Sequence, residues 1–188
     1  LQKTKVLIGI ARAGNVIGGG DWSENRLIPD CVKSWSKNKK VIIRNPKSTR
    51  PWQHVLEPLG GYLKLATELY QREELHGEPF NFGPSTQQNH TVLELVQSMS
   101  RYWDKVRWKE NSGDEEQLYE SGLLKLNCDK ALQQLNWRAI LSFQETVRMT
   151  SEWYCSYYEN SSTIRDVTLL QIQEYEAYKR EKGIRWVQ

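Results

Sequence analysis

The apolar run KVLIGIA, which passes directly into the glycine-rich stretch RAGNVIGGGDW, most constrains how this 188-residue chain can fold. Residues Lys5 to Arg12 form a continuous, partly β-branched segment, which is typical of a strand buried on both faces of a parallel sheet. Such a strand needs neighbouring strands and covering helices. The run therefore predicts an α/β fold, with a loop over residues 13–25 at the carboxyl end of the strand.

The glycine loop does not have the spacing of a dinucleotide-binding fingerprint. That fingerprint sets GxGxxG between a strand and a helix, so that the amino terminus of the helix meets the pyrophosphate. Here the glycines fall at Gly14 and at residues 18–20, and residues 21–26 show no helical stripe. The glycines favour close passage of the backbone past a ligand or past another segment, while a connector without function also fits the pattern.

Helices and strands alternate along the rest of the chain. Apolar stripes at helical spacing and two capping boxes, Thr91 with Glu94 and Ser142 with Glu145, predict the helices. Short β-branched or alternating segments predict the strands. The predicted helices begin near residues 27, 56, 91, 129, 143 and 167; the predicted strands cover 41–43, 50–55, 79–83, 106–110 and 123–126, with a loop over 111–116.

Composition narrows the class of protein and of partner. Hydrophobic residues make up 38% of the chain and charged residues 26%, as in globular domains. No apolar run reaches the ~20 residues that a membrane helix needs. Cys31, Cys128 and Cys155 lack metal-ligand spacing, so we interpret them as reduced thiols of a cytoplasmic protein. Most aromatic residues fall at helix-core spacing, which disfavours single-stranded nucleic acid as a partner.

Six segments carry a resemblance to a known family. They are ARAGNVIGGGDW, RLIPD, VIIRNPKSTRPWQHVLEPLGGYLKLA, FNFGP, LKLNCDKA and LNW. In this order the chain resembles the nucleotide-sugar dehydratases of the extended short-chain dehydrogenase family, and the segment around RPWQHV is similar to that of the CDP-D-glucose 4,6-dehydratases. The resemblance covers about residues 5–160. It implies the carboxyl-terminal part of an extended Rossmann-type dehydratase, with the last sheet strands and a smaller mixed α/β substrate-binding domain.

The resemblance also implies an activity and a domain organisation. The whole enzyme would convert CDP-D-glucose to CDP-4-keto-6-deoxy-D-glucose as a homodimer, with NAD bound mainly by an amino-terminal Rossmann domain that this chain lacks. Residues 1–15 would end the Rossmann sheet. Residues 16–160 would mainly form the substrate-binding domain, with Rossmann elements returning at about 51–83, and residues 161–188 would form a helical tail.

The family's Tyr-x-x-x-Lys base precedes the region of resemblance. We therefore expect no catalytic residue in this chain and no turnover by it alone. A non-catalytic module that binds a nucleotide sugar or a partner chain is the alternative.

The resemblance implies four residues at the sugar and diphosphate end of the substrate site. Asn15 would lie beside the nicotinamide and the sugar phosphate, and it counts as both a substrate and a cofactor contact. Arg26 and Leu27 would stand at a helix amino terminus that faces the substrate. Arg50 would grip the diphosphate with its planar fork. From the residues alone, Asn15 could equally stabilise a turn, Leu27 could be core, and Arg50 could be a solvated loop charge.

Two further residues are implied at the nucleotide end of the site. Ile43, together with its neighbour Ile42, would pack on the cytosine or ribose, although both could instead belong to the sheet core. Glu120 would lie near the nucleotide. The sequence departs from the family pattern here, because Tyr119 and Gly122 stand where relatives often carry histidines.

Two features that suggest catalysis are predicted to be structural. His54 lies inside the resemblance signature, but a histidine in a short half-buried strand is more often a hydrogen-bonded structural residue. Tyr175 and Lys179 have the Tyr-x-x-x-Lys spacing in a charged helix. We expect this pair to be exposed to solvent.

Overall fold

The computed structural model describes residues 6–85, 88–110 and 126–184. The strands are β1 (Ile10–Ala13), β2 (Val16–Ile17), β3 (Val41–Ile43), β4 (Thr49–Arg50), β5 (Gln53–His54), β6 (Pro79–Phe82), β7 (His90–Thr91) and β8 (Trp108–Glu110). The helices are α1 (Leu27–Trp35), α2 (Leu56–Gln71), α3 (Val92–Met99), α4 (Asp129–Leu135), α5 (Phe143–Glu159) and α6 (Ile164–Glu181). None of these helices is both long enough and apolar enough to cross a membrane.

The predicted loop at 111–116 and residues 123–125 of the last predicted strand lie outside the described residues. Within the described ranges, the strands pair in twos, and three of the four pairs are parallel. β1 pairs with β6, β2 with β5 and β3 with β8, whereas β4 pairs with β7 in antiparallel fashion. Parallel neighbours cannot be joined by a tight turn, and each of these parallel pairs is separated in sequence by at least one helix. The mixed α/β class predicted from the sequence is therefore confirmed.

The first strand is shorter and more exposed than the sequence predicts. β1 begins at Ile10 instead of Lys5, and the side chains of Val6, Ile8 and Ile10 are exposed. In the described part of the chain β1 has a partner, β6, on one edge only. Packed helices bury the faces of a strand and partner strands cover its edges, and the exposed side chains of β1 show that its faces are not covered on both sides, so the prediction of two-sided burial is wrong here.

The segment RPWQHV does not form the single strand that its sequence predicts. Arg50 belongs to β4, which pairs with β7, whereas Gln53 and His54 form β5, which pairs with β2. Pro51, which has no N–H to donate, lies at the break between the two strands. As a result, Arg50 lies opposite His90 of β7, whereas residues 53–54 lie opposite residues 16–17 of β2.

Both capping boxes are confirmed. The Thr91 side chain accepts a hydrogen bond from the Glu94 amide at 3.1 Å, and the Ser142 side chain accepts one from the Glu145 amide at 3.2 Å. In each box the glutamate side chain bonds back to the N-cap amide. Each cap stabilises its helix by about 1 kcal/mol.

Three apolar clusters hold the elements together. The largest joins α1, α3 and α5 with β2 and β3, and it contains Ile17, Ile28, Cys31, Val32, Trp35, Ile43, Trp52, Leu95, Val96, Met99, Trp103, Val106, Phe143, Val147 and Tyr154. A second cluster joins α2, β6 and α4, and a third joins α5 to α6. Of the tryptophans predicted to be core, those at positions 35, 52, 103 and 137 are buried and Trp153 is half-buried.

Candidate functional site

A cleft of about 850 Å³ opens beside the largest apolar cluster. It contains five of the six residues implied for the substrate site: Asn15, Arg26, Leu27, Ile43 and Arg50. Glu120 lies outside the described residues. The volume falls within the range of roughly 300–1,000 Å³ that is usual for small-molecule sites. The fold thus gathers residues from a loop, a helix start and two strands around one cavity.

The helix α1 points its amino terminus at this cleft without a side-chain cap. Arg26 is the N-cap residue, and its side chain makes no capping hydrogen bond. The first amide groups of a helix have no partner inside the helix, and the helix dipole makes this end attractive to anions. An arginine at the N-cap adds a cation to the same place, so the end of α1 suits a phosphate group.

The charges in the cleft are partly paired with each other. A guanidinium nitrogen of Arg26 lies 3.1 Å from a carboxylate oxygen of Asp21, and the same side chain donates to the Val16 carbonyl at 3.3 Å. Burial raises the pKa of the Asp21 carboxyl, but hydrogen bonds from Ser23 and the charge of Arg26 outweigh burial and hold that pKa below its usual value. Asp21 is therefore ionised at neutral pH and holds Arg26 at the cleft wall. No group of three or more His, Cys, Asp or Glu residues in the described ranges could hold a metal ion.

Arg50 is positioned by a short β-ladder and an indole. In that ladder Arg50 lies opposite His90. The Trp52 indole nitrogen donates to the His90 carbonyl at 3.1 Å, and Trp52 itself lines the cleft. One guanidinium nitrogen of Arg50 donates to the Thr49 carbonyl at 2.8 Å. These bonds fix the backbone on both sides of Arg50 at the edge of the cleft.

Asn15 is tied to the sheet through its backbone. Its carbonyl accepts a hydrogen bond from the Gln53 amide at 3.0 Å, and the Gln53 side chain donates to the Phe82 carbonyl at 2.8 Å. Asn15 follows β1 and lines the cleft. Its position at the carboxyl end of a parallel strand is where open α/β sheets bind ligands.

The glycine loop packs against α5. An added Cβ at Gly19 would lie 2.0 Å from the Trp153 ring, and one at Gly18 would lie 2.7 Å from Val55. The Tyr154 hydroxyl donates to the Asp21 carbonyl at 2.8 Å. Of the alternatives that the sequence left open, close passage of another segment accounts for Gly18 and Gly19. The next helix starts only at Leu27, as the failed fingerprint predicts.

The two isoleucines of β3 differ in exposure. Ile43 is 2% exposed and belongs to the core, whereas Ile42 is 63% exposed. Both residues line the cleft. Ile43 offers little side-chain surface to a ligand, so Ile42 is the better candidate for contact with a nucleoside.

Three residues that were not predicted as site residues also line the cleft: Asp21, Arg44 and Trp52. Arg44 could have been predicted from the sequence. It directly follows β3, and the alternation of side chains along a strand places it on the same face as Ile42. No local pattern marks Trp52, whose role depends on His90, 38 positions away.

His54 lies inside the fold, where the sequence predicted a structural residue. It is buried, and its Nδ1 accepts a long hydrogen bond of 3.4 Å from the Leu56 amide. Burial lowers the pKa of His54 to about 4, with the charge of Arg148 acting in the same direction. The imidazole is therefore neutral at physiological pH.

The predicted exposure of Tyr175 and Lys179 is wrong. They are 5% and 4% exposed, because α6 packs against α5 and against the start of α2. The Tyr175 hydroxyl donates to the Glu57 carboxylate at 2.8 Å, and the Lys179 ammonium lies 4.3 Å from the centre of the Tyr175 ring. Tyr178 repeats the spacing with Lys182, which donates to a backbone carbonyl. These bonds tie α6 to the body of the protein.

Lys179 makes the stability depend on pH above neutrality. Burial lowers the pKa of its ammonium to about 7, although the charge of Glu57 opposes this shift. An unfolded lysine has a pKa of about 10.4. The unfolded chain thus binds more protons than the folded chain between these values, and the free energy of unfolding rises with pH across that window, by at most ~1.4 kcal/mol per pH unit.

We expect Lys179→Met to flatten this rise in urea denaturation experiments across the same window. Burial raises the pKa of Glu57, so Glu57 changes the stability in the opposite direction as its carboxyl loses its proton. The charge of Lys179 acts on that pKa as well, so the difference between variant and parent reports Lys179 together with its effect on Glu57. Parallel pH profiles of the two proteins would contradict the assignment.

Solved structures identify the class of fold. The chain aligns with UDP-glucuronic acid 4-epimerase from Bacillus cereus, solved with UDP-glucuronic acid and NAD, at a TM-score of 0.66 and 15% identity over 81% of this chain and 46% of that chain. It aligns with dTDP-glucose 4,6-dehydratase from Bacillus anthracis, solved with NAD, at a TM-score of 0.58 and 18% identity over 85% of this chain and 47% of that chain. The fold is that of part of a Rossmann-type nucleotide-sugar epimerase or dehydratase.

A sequence relative narrows this class. Over 150 aligned residues the chain is 45% identical to the CDP-glucose 4,6-dehydratase of Salmonella typhimurium. The alignment covers 78% of this chain and 41% of that protein. The resemblance found in the motifs is thereby confirmed, and the chain is a relative of the CDP-glucose 4,6-dehydratases that spans about two fifths of the length of one. No family model matches the chain.

Proposed function

We propose that this chain is the substrate-binding portion of a CDP-glucose 4,6-dehydratase and that its cleft binds the nucleotide sugar. The observation that carries the proposal is the convergence of Arg26, Arg50 and the uncapped start of α1 on one cavity. A diphosphate is a flexible dianion that is best held by forked guanidinium groups together with helix amides. Asn15, at the end of β1, lies on the wall of the same cavity.

Each residue has a proposed task. Arg50 would hold the diphosphate from the edge of β4, and Arg26 would hold it from the end of α1. Leu27 would contact the substrate with its partly buried side chain. Asn15 would bond the sugar, because its amide both donates and accepts hydrogen bonds.

NAD would supply the hydride chemistry of the complete enzyme. The described residues fit only the edge of such a cofactor. The segment predicted as a loop contains the strand β2, and Gly18 and Gly19, which directly follow β2, pack on Val55 and Trp153, so this segment forms no cradle for a pyrophosphate. We assign only Asn15 to the cofactor, beside the nicotinamide, and infer that a preceding domain holds most of it and that this chain alone is inactive.

We also propose the organisation of the complete protein. Residues 1–15 and about 51–83 would complete a Rossmann domain, which is supported by the parallel pairing of β1 with β6 and by the separate apolar cluster that joins β6 to α2 and α4. Residues 16–160 would otherwise form the substrate domain, and 161–188 the tail. A cytoplasmic homodimer is the proposed full-length form; free cysteines at positions 31, 128 and 155 support the compartment.

The proposal predicts a large effect of Arg50 on nucleotide-sugar binding. In isothermal titration of the chain with CDP-glucose, Arg50→Ala should weaken binding by roughly 1–3 kcal/mol, the range for a hydrogen bond to a charged group. This corresponds to roughly 5- to 150-fold in Kd. Arg101→Ala, which removes an exposed arginine outside the cleft, is the matched control and should leave Kd unchanged.

Equal affinity of Arg50→Ala and the parent chain would remove Arg50 from the site. A chain that binds no CDP-glucose, but is captured by another protein, would favour the partner-binding module instead.

A further inference from the structure

The strand β3 presents a second surface to the cleft, beyond the residues assigned above. Val41 and Ile43 pack on the largest apolar cluster. Side chains alternate across a strand, so Ile42 and Arg44 share the opposite face. Both line the cleft, Ile42 is 63% exposed, and Arg44 is exposed as well. An exposed aliphatic side chain next to a guanidinium forms one end of the cavity.

Arg44 differs from the other cleft arginines in its partners. Arg26 is paired with Asp21, and Arg50 donates to the Thr49 carbonyl. Within the described ranges the Arg44 side chain makes no hydrogen bond or ion pair. Its planar fork of donors is therefore free to bind a ligand.

We propose that Ile42 and Arg44 form the nucleobase end of the cleft and that Arg44 makes the site prefer cytosine to uracil. The inference rests on the proposed function, since Arg26, Arg50 and the start of α1 already provide for the diphosphate. A flat base can cover the Ile42 side chain and remove its apolar surface from water.

The preference follows from the edge that each base presents. Cytosine carries two adjacent acceptors, N3 and O2, which match two parallel donors of a guanidinium. Uracil and thymine carry a donor at N3, which would face the same guanidinium donors without a partner. A donor that the bound base removes from water without giving it a partner costs binding free energy, so Arg44 both attracts cytosine and disfavours the other two bases.

The test compares three ligands with four proteins by isothermal titration. The ligands are CDP, UDP and inorganic pyrophosphate; the proteins are the parent chain, Arg44→Gln, Arg44→Lys and Arg50→Ala. We expect the parent to bind CDP more tightly than UDP by about 5- to 150-fold, the range for one bidentate base contact. Arg44→Gln should remove most of that ratio while changing pyrophosphate affinity less than about twofold. Arg44→Lys should also lose the ratio, because an ammonium lacks the fork.

Two outcomes would overturn the inference. One is an equal loss for all three ligands in Arg44→Gln, which would make Arg44 a phosphate contact; the other is a CDP to UDP ratio that the variant leaves unchanged. Arg50→Ala separates this inference from the proposed function, because it should weaken all three ligands together whatever Arg44 does. A parent chain that binds none of the three would contradict the proposed function itself.

Discussion

Replacing Glu57 by alanine is expected to lower the free energy of unfolding by about 3–5 kcal/mol, the range for removing one partner of a buried charged network. Glu57 is 1% exposed. One carboxylate oxygen accepts the Ile140 and Leu141 amides, both at 2.7 Å, and the other accepts the Tyr175 hydroxyl at 2.8 Å. The substitution leaves three donors buried without an acceptor, and it removes the carboxylate near the Lys179 ammonium.

Urea denaturation followed by circular dichroism measures this effect. Glu181→Ala is the matched control, because Glu181 is an exposed glutamate at the end of α6 and its loss should change the free energy of unfolding by less than about 0.5 kcal/mol. A loss below about 1 kcal/mol in Glu57→Ala would contradict the described network, since it would equal the value of one ordinary hydrogen bond.

Replacing Gly19 by alanine is expected to lower the free energy of unfolding by about 2–3 kcal/mol, the upper part of the range for overpacking. The new methyl group would lie 2.0 Å from one Trp153 ring atom and 2.1 Å from another. Trp153 cannot easily retreat, because its ring stacks on Tyr157 at 5.6 Å and its indole nitrogen donates to Thr168 at 2.9 Å. The loop that carries Asp21 must therefore shift.

Gly83→Ala provides a control for the loss of a glycine as such. A methyl group there would lie 3.2 Å from the end of the Leu126 side chain and 3.5 Å from the Cys128 sulfur, much looser contacts than at Gly19, and we expect a cost below about 1 kcal/mol. If the Trp153 contact is the cause, the double variant Gly19→Ala with Trp153→Leu should lose less than the sum of the single losses. Full additivity would contradict that cause.

The starts of two helices could be predicted from the sequence, because each depends on residues that are close together in the chain. Thr91 and Ser142 start their helices, because a capping box depends on residues only three positions apart. The motif resemblance brought Asn15 and Arg50 into one cleft across 35 positions, which hydrophobic periodicity could not have done.

The sequence misled where tertiary packing decides. Lys179 lies in a charged helix, yet α6 buries it near Glu57, 122 positions earlier, and no periodicity encodes such a partner. Strand β1 has the composition of a central strand, but its exposure depends on how many neighbours flank it. Arg44 has the appearance of a solvated charge in the sequence, and only the shared face with Ile42 draws attention to it.

The central claim is that a nucleotide sugar binds in the cleft between α1, β3 and β4. Amide chemical-shift mapping of the isotope-labelled chain during titration with CDP-glucose tests it most directly. We predict that the largest shifts fall on the amides of Asn15, Leu27, Arg44 and Arg50. Shifts that cluster instead around the second cavity, which is lined by Gly83, Trp137 and Lys182 among others, or no shifts at saturating ligand, would contradict the account.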